Sequence, residues 1–180
     1  MCGIIGIISK NKIDRSLLHK STNLLSHRGP DSKGEYISPE GTLGFGHVRL
    51  SLVDLADRSN QPMTKYNLIL IFNGEIFNFK DINKELEGLG YVFSTTSDTE
   101  TVITAFHHWG PKCVNKFNGF FAFAIYNTIS KETYIFRDRI GVKQIVYTQT
   151  RDSFIFSSET KSILNFPDVN RNPNIETIYT

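Results

Sequence analysis

Hydrophobic positions along this chain switch several times between a strand-like and a helix-like period. Ile4-Ile5-Gly6-Ile7-Ile8 is a short β-branched run that predicts a buried strand rather than a helix. Asp14 then stands as a cap ahead of Leu17, Leu18, Ser21, Leu24 and Leu25, which recur at helical spacing until Gly29-Pro30 stops them. Strands are predicted at about 34–37, 43–50 and 67–72. The last of these, Asn67 to Phe72, is almost wholly apolar and so calls for cover on both faces. Two helices come next. Asn78 caps one with Phe79, Ile82 and Leu86 on a single face and Gly88 and Gly90 at its end. Ser97-Asp98-Thr99-Glu100 has the capping-box spacing and opens the other, whose buried stripe is Val102, Phe106 and Trp109. From Phe117 the pattern returns to strands, at 120–126, 133–136, 145–148 and 154–157, with a short helical turn at 161–164.

Strands thus fall into two groups with helices between them, without the regular alternation of a doubly wound parallel sheet. The arrangement predicted is α+β: two sheets packed face to face with helices outside. The 14 phenylalanines supply bulk for that core. With 180 residues, 39% of them hydrophobic, one domain is the default. It is placed at residues 1–166, and the polar stretch 167–180 reads as a linker or the start of a further domain.

A net charge of +2, with basic and acidic residues intermingled, gives no stripe for tracking phosphates, so no nucleic-acid partner is expected. Cys2 and Cys113 lie far apart, which fits a reducing compartment better than a disulfide framework. The first residues lack the composition of a signal peptide, and no run approaches the length of a membrane span. A soluble cytoplasmic protein is expected.

Candidate chemistry begins at Met1-Cys2-Gly3. Removal of Met1 leaves one residue with both a thiol, whose ordinary pKa is about 8.5, and a free α-amine at about 7.7–8.0 that can act as its base. The competing reading is an incidental second residue. Phe72-Asn73-Gly74-Glu75 is either a two-residue hairpin turn or a pair of donors, the Asn73 amide and the Gly74 N–H, aimed at a developing oxyanion. A helical pattern rather than a returning strand follows, which disfavours the hairpin. Arg49, within Gly46-His47-Val48-Arg49-Leu50-Ser51-Leu52-Val53, is either exposed on an edge strand or a guanidinium fork for a carboxylate. Asp98 is a first-turn acid favoured by the helix dipole. With Ser97 and Glu100 filling the capping box, its carboxylate stays free for a cationic amine. His27-Arg28-Gly29-Pro30-Asp31 and Arg137-Asp138-Arg139-Ile140-Gly141 read locally as punctuation and a turn. The adjacent His107 and His108 point to different helix faces, so no metal site is assigned with Cys113, itself a small buried hydrophobe.

Taken together, Met1-Cys2-Gly3-Ile4, His27-Arg28-Gly29-Pro30-Asp31, His47-Val48-Arg49-Leu50-Ser51, Phe72-Asn73-Gly74-Glu75-Ile76, Ser97-Asp98-Thr99-Glu100 and Arg137-Asp138-Arg139-Ile140-Gly141-Val142-Lys143 resemble the class II glutamine amidotransferase domain of asparagine synthetases. The resemblance implies an N-terminal nucleophile hydrolase fold, a four-layer αββα sandwich of two mainly antiparallel sheets. It implies a glutaminase in which Cys2 is the nucleophile and Asn73 and Gly74 form the oxyanion hole. Arg49 would bind the α-carboxylate of L-glutamine, the backbone of Leu50, Ser51, Leu52 and Val53 would line the pocket, and Glu75 and Asp98 would surround the substrate and its α-ammonium. No cofactor is implied here. ATP and Mg²⁺ belong to a synthetase domain whose pyrophosphate-binding loop does not occur in these residues, and that domain or subunit is the implied partner. A homodimer is compatible with the sequence. Gln144 stands where the family places proline. Two other readings stay open: a catalytically silent interaction or regulatory module of the same fold, and an N-terminal nucleophile amidohydrolase acting on another amide.

Overall fold

The computed structural model describes residues 1–50 and 59–172. Nine strands are formed among the described residues: β1 (Gly3–Ser9), β2 (Ser32–Ile37), β3 (Leu43–Arg49), β4 (Met63–Lys65), β5 (Leu68–Ile76), β6 (Gly119–Asn127), β7 (Thr133–Arg137), β8 (Val146–Gln149) and β9 (Ser153–Ser157). Four helices accompany them: α1 (Arg15–Asn23), α2 (Phe79–Gly88), α3 (Asp98–Trp109) and the short α4 (Thr160–Ile163). One sheet runs β2-β3-β1-β9-β8 and the other β4-β5-β6-β7, with every pairing antiparallel.

Side-chain alternation sorts the apolar residues of each sheet into separate layers. On β5, Leu68, Leu70 and Phe72 face α2 and α3, packing with Ile82, Leu86, Val102 and Phe106. Ile69 and Ile71 face the other way, onto Ile4, Phe45 and Phe156 of the first sheet. On β1, Ile5 and Ile7 point outward to Leu18, Leu25 and Ile163. The order is therefore helix, sheet, sheet, helix, which is the predicted four-layer sandwich. At Gly6 a Cβ would stand 2.1 Å from the Phe156 ring, so only glycine lets this ring lie flat on the strand.

Several expectations are refined. β5 runs through Asn73 and Gly74 to Ile76, paired to β6 across its whole length, so Asn-Gly makes no hairpin. β3 lies between β1 and β2, and Arg49 at its end is buried rather than exposed on an edge. β4 was missed in sequence because its three residues are too few to show a period. Asn78 precedes α2, but its side chain makes no cap. It instead accepts from Asn118 N at 2.9 Å and donates to Lys116 O at 2.9 Å, tying the helix start to the segment before β6. Packing also continues beyond Phe166, since Val169 is buried beside α1 and α4.

Candidate functional site

The nucleophile candidate sits where four segments end together. Cys2 immediately precedes β1, a strand held on both sides by β3 and β9. Ser158 reinforces that hold, its Oγ accepting from Ile4 N at 3.0 Å and its N–H donating to Ile4 O at 2.9 Å. Arg28 adds a further restraint from the turn after α1: its Nε donates to Cys2 O at 3.0 Å while Nη1 pairs with Glu159 Oε1 at 2.8 Å. Arg28, which seemed mere punctuation in sequence, thus fixes the backbone of Cys2. Its role was hidden because the partners lie at the two ends of the described fold.

A cavity of about 280 Å³ opens beside Cys2. Its wall includes Met1, Arg49, Leu50, Asn73, Gly74, Glu75 and Asp98, so the expected site residues within the described chain converge on one space. Ser51, Leu52 and Val53 lie outside the described residues. Gln61, Ser59, Thr99, Phe120 and Lys143 also line it without having been singled out as site residues. Thr99 and Lys143 had appeared only as members of the Ser97-to-Glu100 and Arg137-to-Lys143 motifs, and Phe120 only as the start of a predicted strand.

Three features of the wall bear on chemistry. Asn73 lies on the face of β5 that continues Ile69 and Ile71 toward the first sheet, and its Nδ2 is buried with no hydrogen-bond partner. Buried amide donors are nearly always satisfied, so an orphan lining a cavity marks a place for an acceptor. Gly74 follows, and a Cβ there would meet Phe120 O at 2.4 Å and Phe121 Cα at 2.7 Å, so no other residue keeps this approach of β5 to β6. Arg49 is buried beside the cavity, its Nη1 donating to Asn60 Oδ1 at 2.9 Å.

The acid at the start of α3 differs from expectation. Asp98 is not free, because its Oδ2 accepts from Ile76 N at 3.0 Å. The capping box is not formed either. Ser97 Oγ accepts from Thr99 N at 3.2 Å, whereas Glu100 turns away to Lys65 Nζ at 2.7 Å and to the amides of Ser94 and Thr95. A partly buried ammonium and two loop amides offer Glu100 more than one helix-terminal N–H does. Asp98 still lines the cavity, and burial, with the nearby Glu75 charge, pushes its carboxyl up to about 6 against the Ile76 hydrogen bond.

Electrostatics around Cys2 are mixed. Burial pushes the thiol up, while a backbone hydrogen bond at Leu50, the N-terminal amine and Arg49 oppose that rise. Cys113, by contrast, is buried away from the cavity and pushed up to about 12 by burial, so it is an inert thiol. His47 is fully buried with its Nε2 at 3.2 Å from Phe72 O, and burial drives it down to about 3, which keeps it neutral.

A four-layer αββα fold with an N-terminal thiol at a cavity defines an N-terminal nucleophile hydrolase architecture. The fold is shared with the solved glutamine phosphoribosylpyrophosphate amidotransferase from B. subtilis, at a TM-score of 0.78 and 21% identity over 90% of this chain and 43% of that one. Residues 1–180 match the family described as "Glutamine amidotransferase domain", and the chain belongs to that family. It is 39% identical to asparagine synthetase [glutamine-hydrolyzing] 3 of Bacillus subtilis, over 94% of this chain and 28% of that protein. It is 34% identical to a putative asparagine synthetase [glutamine-hydrolyzing] 2 of Methanocaldococcus jannaschii, over 97% of this chain and 37% of that protein. The chain therefore spans between 28% and 37% of the length of these two curated relatives.

Proposed function

We propose that this domain, once Met1 is removed, releases ammonia from L-glutamine through a Cys2 thioester. The orphaned Asn73 amide in the wall of the Cys2 cavity carries the reading, because an amide hydrolase needs a donor where the tetrahedral oxyanion forms. Arg49 and Asp98, of opposite charge on the same wall, suit a free amino acid. A peptide-bound glutamine lacks both an α-carboxylate and an α-ammonium.

The steps follow from these groups. The Cys2 α-amine takes the thiol proton, and the thiolate attacks the side-chain amide carbon of glutamine. Asn73 Nδ2 and Gly74 N–H hold the oxyanion. The amine returns its proton to the leaving nitrogen, ammonia departs, and a γ-glutamyl thioester remains. Water, deprotonated by the same amine, attacks the thioester to give glutamate and restore the thiol. The ammonia then serves ATP-dependent amide synthesis, such as asparagine from aspartate, by a synthetase domain or subunit where ATP and Mg²⁺ bind.

The test is glutamate release by chain whose intact mass shows Met1 removed. Release by the wild type and its loss in Cys2→Ala, with an unchanged melting curve, is expected. Equal release by both would sink the thioester mechanism. Processed chain that releases none would favour the silent interaction module.

A further inference from the structure

The Arg137-to-Lys143 motif forms a cradle whose hydrogen bonds end on one side chain. Arg137 Nε donates to Lys143 O at 2.9 Å and its Nη2 to Gly141 O at 2.6 Å. Asp138 Oδ1 accepts from Val142 N at 2.9 Å and Oδ2 from Lys143 N at 3.0 Å. Gly141 turns the loop at φ +74°, where a side chain would be strained and would strike the Arg137 guanidinium. Both backbone polar groups of Lys143 are therefore pinned.

What the cradle presents is a nearly buried ammonium. Lys143 is 9% exposed, lines the Cys2 cavity, and stands 4.5 Å from the Phe120 ring centroid. Its Nζ contacts Met1 Sδ at 3.3 Å, and no carboxylate lies within ion-pair distance of it among the described residues. A buried cation without an anion is costly to keep. Besides the Phe120 ring, the ammonium contacts the residue whose removal exposes the Cys2 amine.

We infer that Lys143 is the fixed positive charge of the nucleophile's chamber, uncovered when Met1 leaves and neutralised by the Cys2 thiolate. The inference rests on Cys2 being the nucleophile, as proposed above. A cation favours thiolate over thiol, and by repulsion favours the neutral form of the adjacent α-amine. Both changes prepare the pair for attack. The other charged groups around this space are Arg28 from the turn after α1, Arg49 at the end of β3, Glu75 on β5, Asp98 at the start of α3 and Asp138 in the cradle itself. Glu75, Asp98 and Asp138 oppose Lys143, and Arg28 and Arg49 act with it.

The experiment follows iodoacetamide alkylation of Cys2 against pH in the Met1-processed chain, with Cys2→Ala as the blank. Lys143→Met should raise the apparent thiol pKa by about one unit or more and slow alkylation near neutral pH by about tenfold. Lys143→Arg should restore most of the rate, and Lys143→Gln should behave like the methionine variant. Thermal melts identify any variant that fails to fold; if Lys143→Met does, the glutamine variant decides. Alkylation profiles that coincide in folded wild type and neutral variants would overturn the inference, as would an effect confined to KM for glutamine. Alkylation needs no glutamine, so a wild type that lacks glutaminase yet shows the Lys143 dependence would refute the proposed function alone.

Discussion

Asp98→Asn is expected to stabilise the fold while removing glutamine binding. Burial raises the Asp98 carboxyl from 3.8 to about 6, so the folded state disfavours its charge. The sign follows from linkage: stability is fully present below the unfolded value near pH 4 and is lost as pH rises through about 6. A displacement of about two units corresponds to about 3 kcal/mol of lost stability at pH 7.5. Two effects reduce what the amide recovers. It gives up a first-turn negative charge on α3, worth about 0.3–1 kcal/mol, and the side chain borders an open cavity where water screens it. The Ile76 N–H keeps an acceptor, because asparagine retains one oxygen. A net gain of about 1–2 kcal/mol at pH 7.5, shrinking toward zero or below at pH 4, is the expected balance. Urea unfolding of wild type and variant at pH 4, 6 and 7.5 measures it, with midpoints compared at unchanged slope. Glutamine at 100 times its Kd should add about 2.7 kcal/mol to the wild type at pH 7.5 and little to the variant. A variant less stable than wild type at pH 7.5, or a difference that does not change with pH, would refute the reasoning.

Asn73→Ala should lower kcat for glutamate release by about 10²–10³-fold with KM within a few-fold, since the donor acts on a charge absent from the ground state; a KM-only effect in steady-state assays would show that Asn73 binds substrate instead. Glu100→Ala should cost about 1–3 kcal/mol in chemical denaturation by removing the carboxylate partner of Lys65 and leaving the Ser94 and Thr95 amides unpaired. Although burial raises the Glu100 carboxyl, those partners hold it at about 2. Its stabilisation is therefore present above pH 4.5 and lost as pH falls toward 2, so the variant should show a shallower acid limb.

The legible parts of the fold were those whose evidence lies within a few residues. Phe120 to Tyr126 showed its strand locally, and the helices at Phe79 and Asp98 showed their stripes. The capping box misled because Ser97 and Glu100 have the correct local spacing, while the competitor that captures Glu100 is Lys65, 35 positions earlier. Arg28 and Lys143 were read as parts of turns for the same reason. Arg28 meets a residue 26 positions before it, and Lys143 meets Met1, 142 positions away. The cavity-lining residues Ser59 and Gln61 carried no pattern at all, since each is a lone polar residue in an irregular stretch.

Placing the first strand between β3 and β9 sets a clock on biosynthesis. Ile5 to Ser9 find their second set of partners only in Ser153–Ser157, so the chain must leave the ribosome through Ser157 before that side of β1 can close. At about 5–20 residues per second, the delay is on the order of 10 s. Throughout it the amino terminus lacks its finished sheet, and an aminopeptidase can reach Met1 before the cavity exists. The Met1 removal proposed above would thereby fall ahead of the enclosure that would use the thiol.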